Sequence, residues 1–263
     1  MAVLRALLVL TGLWLGCGVA TAASTERLDL IVRGQTMTLT VYKPKAPARG
    51  TIVMASGDVG WVGLAVSMAD ELSAQGFIVI GLNARQYLAA FTSGKGHLQP
   101  TDVPSDYRSL ADRLKEKQLL VRPVILSGVS EGAALAVLGA SESKNHAWID
   151  GVITLGLPAT AELAWRWTDF LASAMKKDAD EPSFTVADFL PAVAPVPLCM
   201  IQSKKDEYVT PADYEKFRTI AKEPKRFVLI DAANHRFTDR RPELSRAFAD
   251  GLVWIAAAGK SGK

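Results

Sequence analysis

The sequence predicts an α/β fold on a mostly parallel sheet with helices on both faces, and three observations predict it. Short apolar runs recur along the chain: Thr51-Ile52-Val53-Met54, Phe77-Ile78-Val79-Ile80, Pro123-Val124-Ile125-Leu126, Val152-Ile153-Thr154-Leu155, Leu198–Ile201 and Phe227-Val228-Leu229-Ile230. Strands buried on both faces read as unbroken apolar runs of this kind. Segments of helical period fall between them, at Leu64 to Leu72, Ser105 to Lys117, about 210–222 and about 242–257. The length of 263 residues, with 49% hydrophobic and 22% charged content, suits one large domain of this type.

Leu28–Val32 and Thr36–Tyr42 precede the first of those runs and flank Arg33-Gly34-Gln35. Alternation on either side of a Gly-containing connection predicts an antiparallel hairpin. Two antiparallel strands ahead of a parallel sheet are the order expected of an α/β-hydrolase fold. Residues 158–195 break the rhythm and form a small lid insertion between the sixth and seventh core strands. Glu162 to Lys176 carries Leu163, Trp165, Trp167, Phe170, Leu171 and Met175 at helical spacing, ahead of an acidic, proline-bearing stretch at 177–182. Its aromatic residues read either as a substrate-pocket wall or as a helix face packed on the core.

Residues 1–22 are read as a secretory signal peptide. Arg5 precedes an apolar stretch through Leu15, and Ala20-Thr21-Ala22 supplies small residues for cleavage. The domain is then 23–263, in a periplasmic or secreted location. Lipidation at Cys17 is a competing reading that Trp14 and Leu15 fit poorly. With Cys17 removed, Cys199 is the only cysteine and no intrachain disulfide can form. A net charge of +3, and no basic patch, argue against a nucleic-acid partner.

The chemistry centres on Gly128-Val129-Ser130-Glu131-Gly132, which follows a predicted strand and opens a predicted helix. That context makes a G-x-S-x-G pentapeptide a nucleophile elbow. A serine hydroxyl needs a general base, and the base needs an orienting acid. His235 lies in the loop after Phe227–Ile230, and Asp206 in the loop after Leu198–Ile201, with Glu207 a lesser candidate. The order Ser130, Asp206, His235 is that of the α/β-hydrolases. The oxyanion donors expected are the backbone N–H groups of Glu131, after the nucleophile, and of Asp58, in the loop after the third strand. Trp61, Arg85, Trp165 and Trp167 are candidate substrate-binding residues. His97 and His146 sit in polar segments and are expected to be exposed. No histidine or cysteine spacing suggests a metal site, and the chemistry calls for no cofactor.

Ser56-Gly57-Asp58-Val59-Gly60-Trp61, Gly81–Tyr87, the Ser130 elbow and Asn234-His235-Arg236-Phe237 together resemble the VirJ/AcvB group of bacterial virulence proteins. Val59 and Glu131 depart from that group's pattern of glycine and an aromatic residue. The resemblance runs from about residue 50 onward. It implies a periplasmic hydrolase, with aminoacylated phospholipid, such as lysyl-phosphatidylglycerol, as a substrate class and a type IV secretion system as a partner. Two functions are therefore expected. One is a serine hydrolase acting on a small-molecule or lipid ester, with transient membrane-surface contact. The alternative is a catalytically silent hydrolase-fold protein in secretion or envelope interactions.

Overall fold

A computed structural model describes residues 24–92, 98–165 and 182–261. The predicted signal segment, Cys17, His97, Trp167 and Phe170 lie outside the described residues. Strands β1 (Ser24–Val32) and β2 (Gln35–Lys43) pair antiparallel over their whole length. The turn between them places Arg33 and Gly34 at φ 46° and 79°. Strands β3 (Thr51–Ala55), β4 (Ile78–Leu82), β5 (Val124–Val129) and β6 (Gly151–Leu155) follow.

The insertion contributes β7 (Thr160–Glu162) and β8 (Ser183–Thr185), and the chain returns to the sheet with β9 (Leu198–Ser203) and β10 (Lys225–Ile230). The main sheet has the order β1-β2-β4-β3-β5-β6-β9-β10; β2 meets β4 antiparallel, and every pair from β4 to β10 is parallel. This is the α/β-hydrolase fold that the strand order predicts.

Alternation along the parallel strands divides the core in two. Ile52, Met54, Val79, Ile125, Ile153, Cys199 and Ile201 face one side, where Leu64, Met68 and Leu72 of α1 (Leu64–Ala74) and Leu244, Phe248 and Ile255 of α7 (Arg241–Ser261) cover them. Val53, Ile80, Leu126, Val152 and Met200 face the other side. There they meet α2 (Ala84–Ala90), α3 (Val103–Glu116) and α4 (Glu131–Ala140). Every residue of α4 from Gly132 to Ala140 is buried, which explains its all-apolar sequence. A fully buried Leu135 or Leu138 stabilises the fold by about 2 kcal/mol each through burial alone.

Most of the segment read at helical spacing, from residue 166 to Lys176, lies outside the described residues; only its start is described. Thr160–Glu162 is extended and pairs antiparallel with Ser183–Thr185. Buried Ala161 and Phe184 alternate there with exposed neighbours, the period of two expected of a half-buried strand. A short helix α5 (Leu190–Val193) then leads to β9, and α6 (Pro211–Ile220) links β9 to β10.

Candidate active site

The carboxyl ends of the parallel strands gather the loops where an open α/β sheet places its ligands. Ser130 stands between β5 and α4 at φ 53° and ψ −121°, a strained conformation for a residue with a Cβ. The flanking glycines allow it. A Cβ on Gly128 would strike the Gly132 carbonyl, and one on Gly132 would strike the Ala55 and Ser56 carbonyls at the end of β3. Strand and helix therefore approach more closely than any larger residue permits. The Ser130 N–H donates to the Leu155 carbonyl at 3.0 Å, tying the elbow to the end of β6.

Asp206 and His235 are brought together from the loops after β9 and β10. The His235 Nδ1–H donates to Asp206 Oδ2 at 2.7 Å, with both side chains buried, at 6% and 0% exposure. Asp206 Oδ1 accepts the N–H groups of Tyr208 and Val209 at 2.9 and 3.1 Å. A carboxylate with both oxygens engaged holds the imidazole in one orientation and one tautomer. Glu207, the lesser candidate for the acid, instead accepts the His235 backbone N–H at 2.8 Å. Tyr208 stands edge-on to the imidazole at 5.2 Å.

Gly156 joins these parts. It follows Leu155, the acceptor of the Ser130 N–H, and has φ 62°. The His235 ring packs over its bare Cα: a Cβ there would lie 2.7 Å from Cε1 and 3.0 Å from Nδ1. The turn that receives the serine backbone thus also seats the histidine. His235 Nε2 is buried and has no hydrogen-bonding partner among the described residues. Buried Gln202 fixes this turn by accepting the Leu157 N–H at 2.6 Å and donating to the Leu157 carbonyl at 3.2 Å.

The loop after β3 is braced by Ser56, whose hydroxyl accepts the Ala84 N–H at 3.1 Å. Glu131, the first residue of α4, keeps its backbone N–H among the four that a helix cannot pair internally. The Asp58 N–H is engaged: it donates to Glu131 Oε2 at 3.2 Å. Beside this loop lies a cleft of about 460 Å³ lined by Val59, Gly60, Trp61, Val62, Asn83, Arg85, Gln86, Ala89 and Trp165. Three expected substrate-binding residues, Trp61, Arg85 and Trp165, therefore line one cleft. The Arg85 guanidinium lies 3.9 Å from the Trp165 ring centroid, and the Trp61 Nε1–H donates to the Tyr42 hydroxyl at 3.0 Å.

Residues 50–227 match the family described as "Bacterial virulence protein (VirJ)". The chain belongs to the VirJ family. This VirJ-family chain is also 26% identical over 208 residues to "Uncharacterized protein YfhR" of Escherichia coli, covering 77% of this chain and 69% of that one. Among solved structures it resembles an esterase domain from Rhodothermus marinus, with TM-score 0.60, 17% identity, and coverage of 90% of this chain and 99% of that one. A dienelactone hydrolase from Anabaena variabilis gives TM-score 0.61 and 17% identity over 88% of this chain and 97% of that one. At such identities the likeness is one of fold.

His146 departs from expectation. It is half-buried in a 3-10 turn, its Nε2 2.9 Å from the Ala140 carbonyl, where it closes the end of α4. Gly156, Gln202 and the backbone contact of Glu207 escaped sequence reasoning. The one available signal was the glycine following the apolar run Val152–Leu155, at a strand end.

Proposed function

We propose that this VirJ-family protein is a serine hydrolase cleaving an ester or similar acyl bond. The observation carrying this reading is the buried Asp206–His235 pair, its Nε2 uncommitted, on the same Leu155–Gly156 turn that binds the Ser130 backbone. Ser130 Oγ attacks the acyl carbon while its proton passes to His235 Nε2. The carbonyl oxygen becomes an oxyanion facing the Asp58 and Glu131 N–H groups. Collapse expels the alcohol, which takes the proton from His235, and leaves an acyl-serine. Water then repeats the cycle, giving its proton to His235 and releasing the acid. His235 Nε2 makes no hydrogen bond to Ser130 Oγ at rest, and catalytic contacts of this kind often form only in the reacting complex.

The cleft beside the Asp58 loop, apolar at Val59, Trp61, Val62, Ala89 and Trp165 with one cation at Arg85, takes part of the substrate. Family membership supports aminoacylated phospholipid as the first ester to test, reached from a periplasmic or secreted location. Ser130→Ala is expected to abolish both esterase turnover and labelling by a fluorophosphonate probe, with the fold retained. Equal labelling of the variant would sink the reading. No labelling of either protein would favour a catalytically silent role in secretion or envelope interactions. For location, intact-mass measurement of exported protein is expected to show a start at Ala23; a diacylglycerol-modified Cys17 would establish the lipoprotein instead.

A further inference from the structure

The Asp58 N–H, assigned by the proposed mechanism to the oxyanion hole, holds the Glu131 side chain at 3.2 Å. Glu131 Oε2 and Ser130 Cβ both lie over the bare Cα of Gly57, where a Cβ would stand 3.7 Å from the first and 3.5 Å from the second. The carboxylate therefore sits beside the nucleophile, on the donor the reaction needs. We infer that Glu131 occupies the oxyanion hole of the resting protein and acts as a built-in competitor of the substrate's acyl oxygen. This inference rests on the reading of Ser130 as nucleophile.

Two physical effects act in the same direction. A backbone N–H shared with a carboxylate must be released before it can stabilise the tetrahedral intermediate, and hydrogen bonds to charged acceptors are among the stronger ones. A carboxylate left nearby also repels the negative charge that develops on the substrate oxygen. Both raise the barrier for a simple ester more than they weaken its binding, because the ground-state carbonyl carries little charge. The cost is moderated by solvent, since Glu131 is half-exposed. Glu131 also suits the first turn of α4 electrostatically, so its removal could act on the helix alone. Glu131→Asp separates the two roles: it keeps a carboxylate at the head of α4 but shortens its reach by one methylene.

The test measures kcat and KM for p-nitrophenyl acetate, and the rate of fluorophosphonate labelling, in the wild type, Glu131→Ala, Glu131→Gln and Glu131→Asp. Melting temperatures are recorded alongside, and Ser130→Ala is combined with each variant. Glu131→Ala is expected to raise kcat roughly tenfold with KM changed less than about twofold. Glu131→Asp should also raise kcat, and labelling should accelerate in parallel because the phosphonyl oxygen enters the same hole. Glu131→Gln, which keeps an acceptor without the charge, should fall between the wild type and Glu131→Ala. Ser130-dependent turnover that stays level or falls in both Glu131→Ala and Glu131→Asp would overturn the inference while leaving Ser130 as nucleophile. If Glu131→Ala fails to fold, Glu131→Asp alone decides by the same criterion. Turnover independent of Ser130 would remove the hydrolase reading and this inference with it.

Discussion

Gly156 illustrates how much a single residue can carry without a functional group of its own. Its φ of 62° and the His235 ring across its Cα leave no room for a side chain. Gly156→Ala would press its Cβ on the imidazole and hold an L-residue in the left-handed region, at a backbone cost of about 1–2 kcal/mol. On the proposed reading of His235 as general base, displacing it by about 1 Å can cost about 100-fold in rate, so kcat for an ester substrate should fall by about that factor while the protein still melts cooperatively. Unchanged kcat in a folded variant would show that His235 does not depend on this seat. The loop-end placement of Ser130, Asp206 and His235 was legible because each follows an apolar run that declares its strand, and because glycines mark the elbow. Gly156 and Gln202 were not legible. Their roles arise from contacts across the fold, 79 residues for Gly156 with His235 and 45 for Gln202 with Leu157, which local pattern does not encode.

At the scale of elements, the hairpin β1–β2 is fastened to the helices by charge. Arg33, at the hairpin turn, donates from Nε and Nη2 to Asp106 of α3 at 3.1 and 2.9 Å, and its guanidinium lies 3.8 Å from the Phe91 ring centroid. Asp106 also accepts the buried Tyr87 hydroxyl at 2.6 Å. Burial pushes the Asp106 carboxyl above its ordinary value, against the lowering effects of Tyr87 and Arg33. Removing the cation would raise it further. Arg33→Met should therefore destabilise the protein near neutral pH by about 2 kcal/mol, less than for a wholly buried pair because Arg33 is partly exposed.

The sign of its pH dependence follows from the same shift. A carboxyl whose folded pKa lies above its unfolded one favours folding most when protonated, and loses that contribution as pH rises through the folded value. The penalty of Arg33→Met should therefore be smallest below the ordinary carboxylate range and grow as pH rises above it. Urea titrations at several pH values would test this, and a penalty independent of pH would contradict it. The hairpin itself was readable from alternation around Arg33-Gly34-Gln35, but its partner was not. The short elements α2, β7 and β8 were missed for a related reason: three to seven residues span too few periods to separate helix from strand.

At the scale of the whole molecule, the long apolar strands were legible because burial on both faces demands them, and the two core clusters confirm that demand. Cys199 reports on how tightly one of those clusters closes. It is fully buried on β9, and a Cβ on Gly251 of α7 would come within 3.2 Å of its Sγ, so helix and strand meet at the thiol with no room to spare. Burial also pushes the thiol up to about 11, which suppresses the reactive thiolate at neutral pH. Both effects predict an inert cysteine, but they differ in what relieves them. Raising the pH leaves the thiolate a small fraction until it nears that value, whereas exposing the thiol requires α7 to leave the sheet, an opening that should cost much of the global stability. In a protein spanning residues 23–263, where Cys199 is the sole cysteine, a disulfide-exchange reagent should therefore find almost no thiol under native conditions and one equivalent in denaturant. Its slow native reaction should track the unfolding equilibrium as urea is added. Rapid native labelling at a rate insensitive to low urea would instead show that α7 detaches locally and that the closing face of the sheet is not part of the cooperative unit.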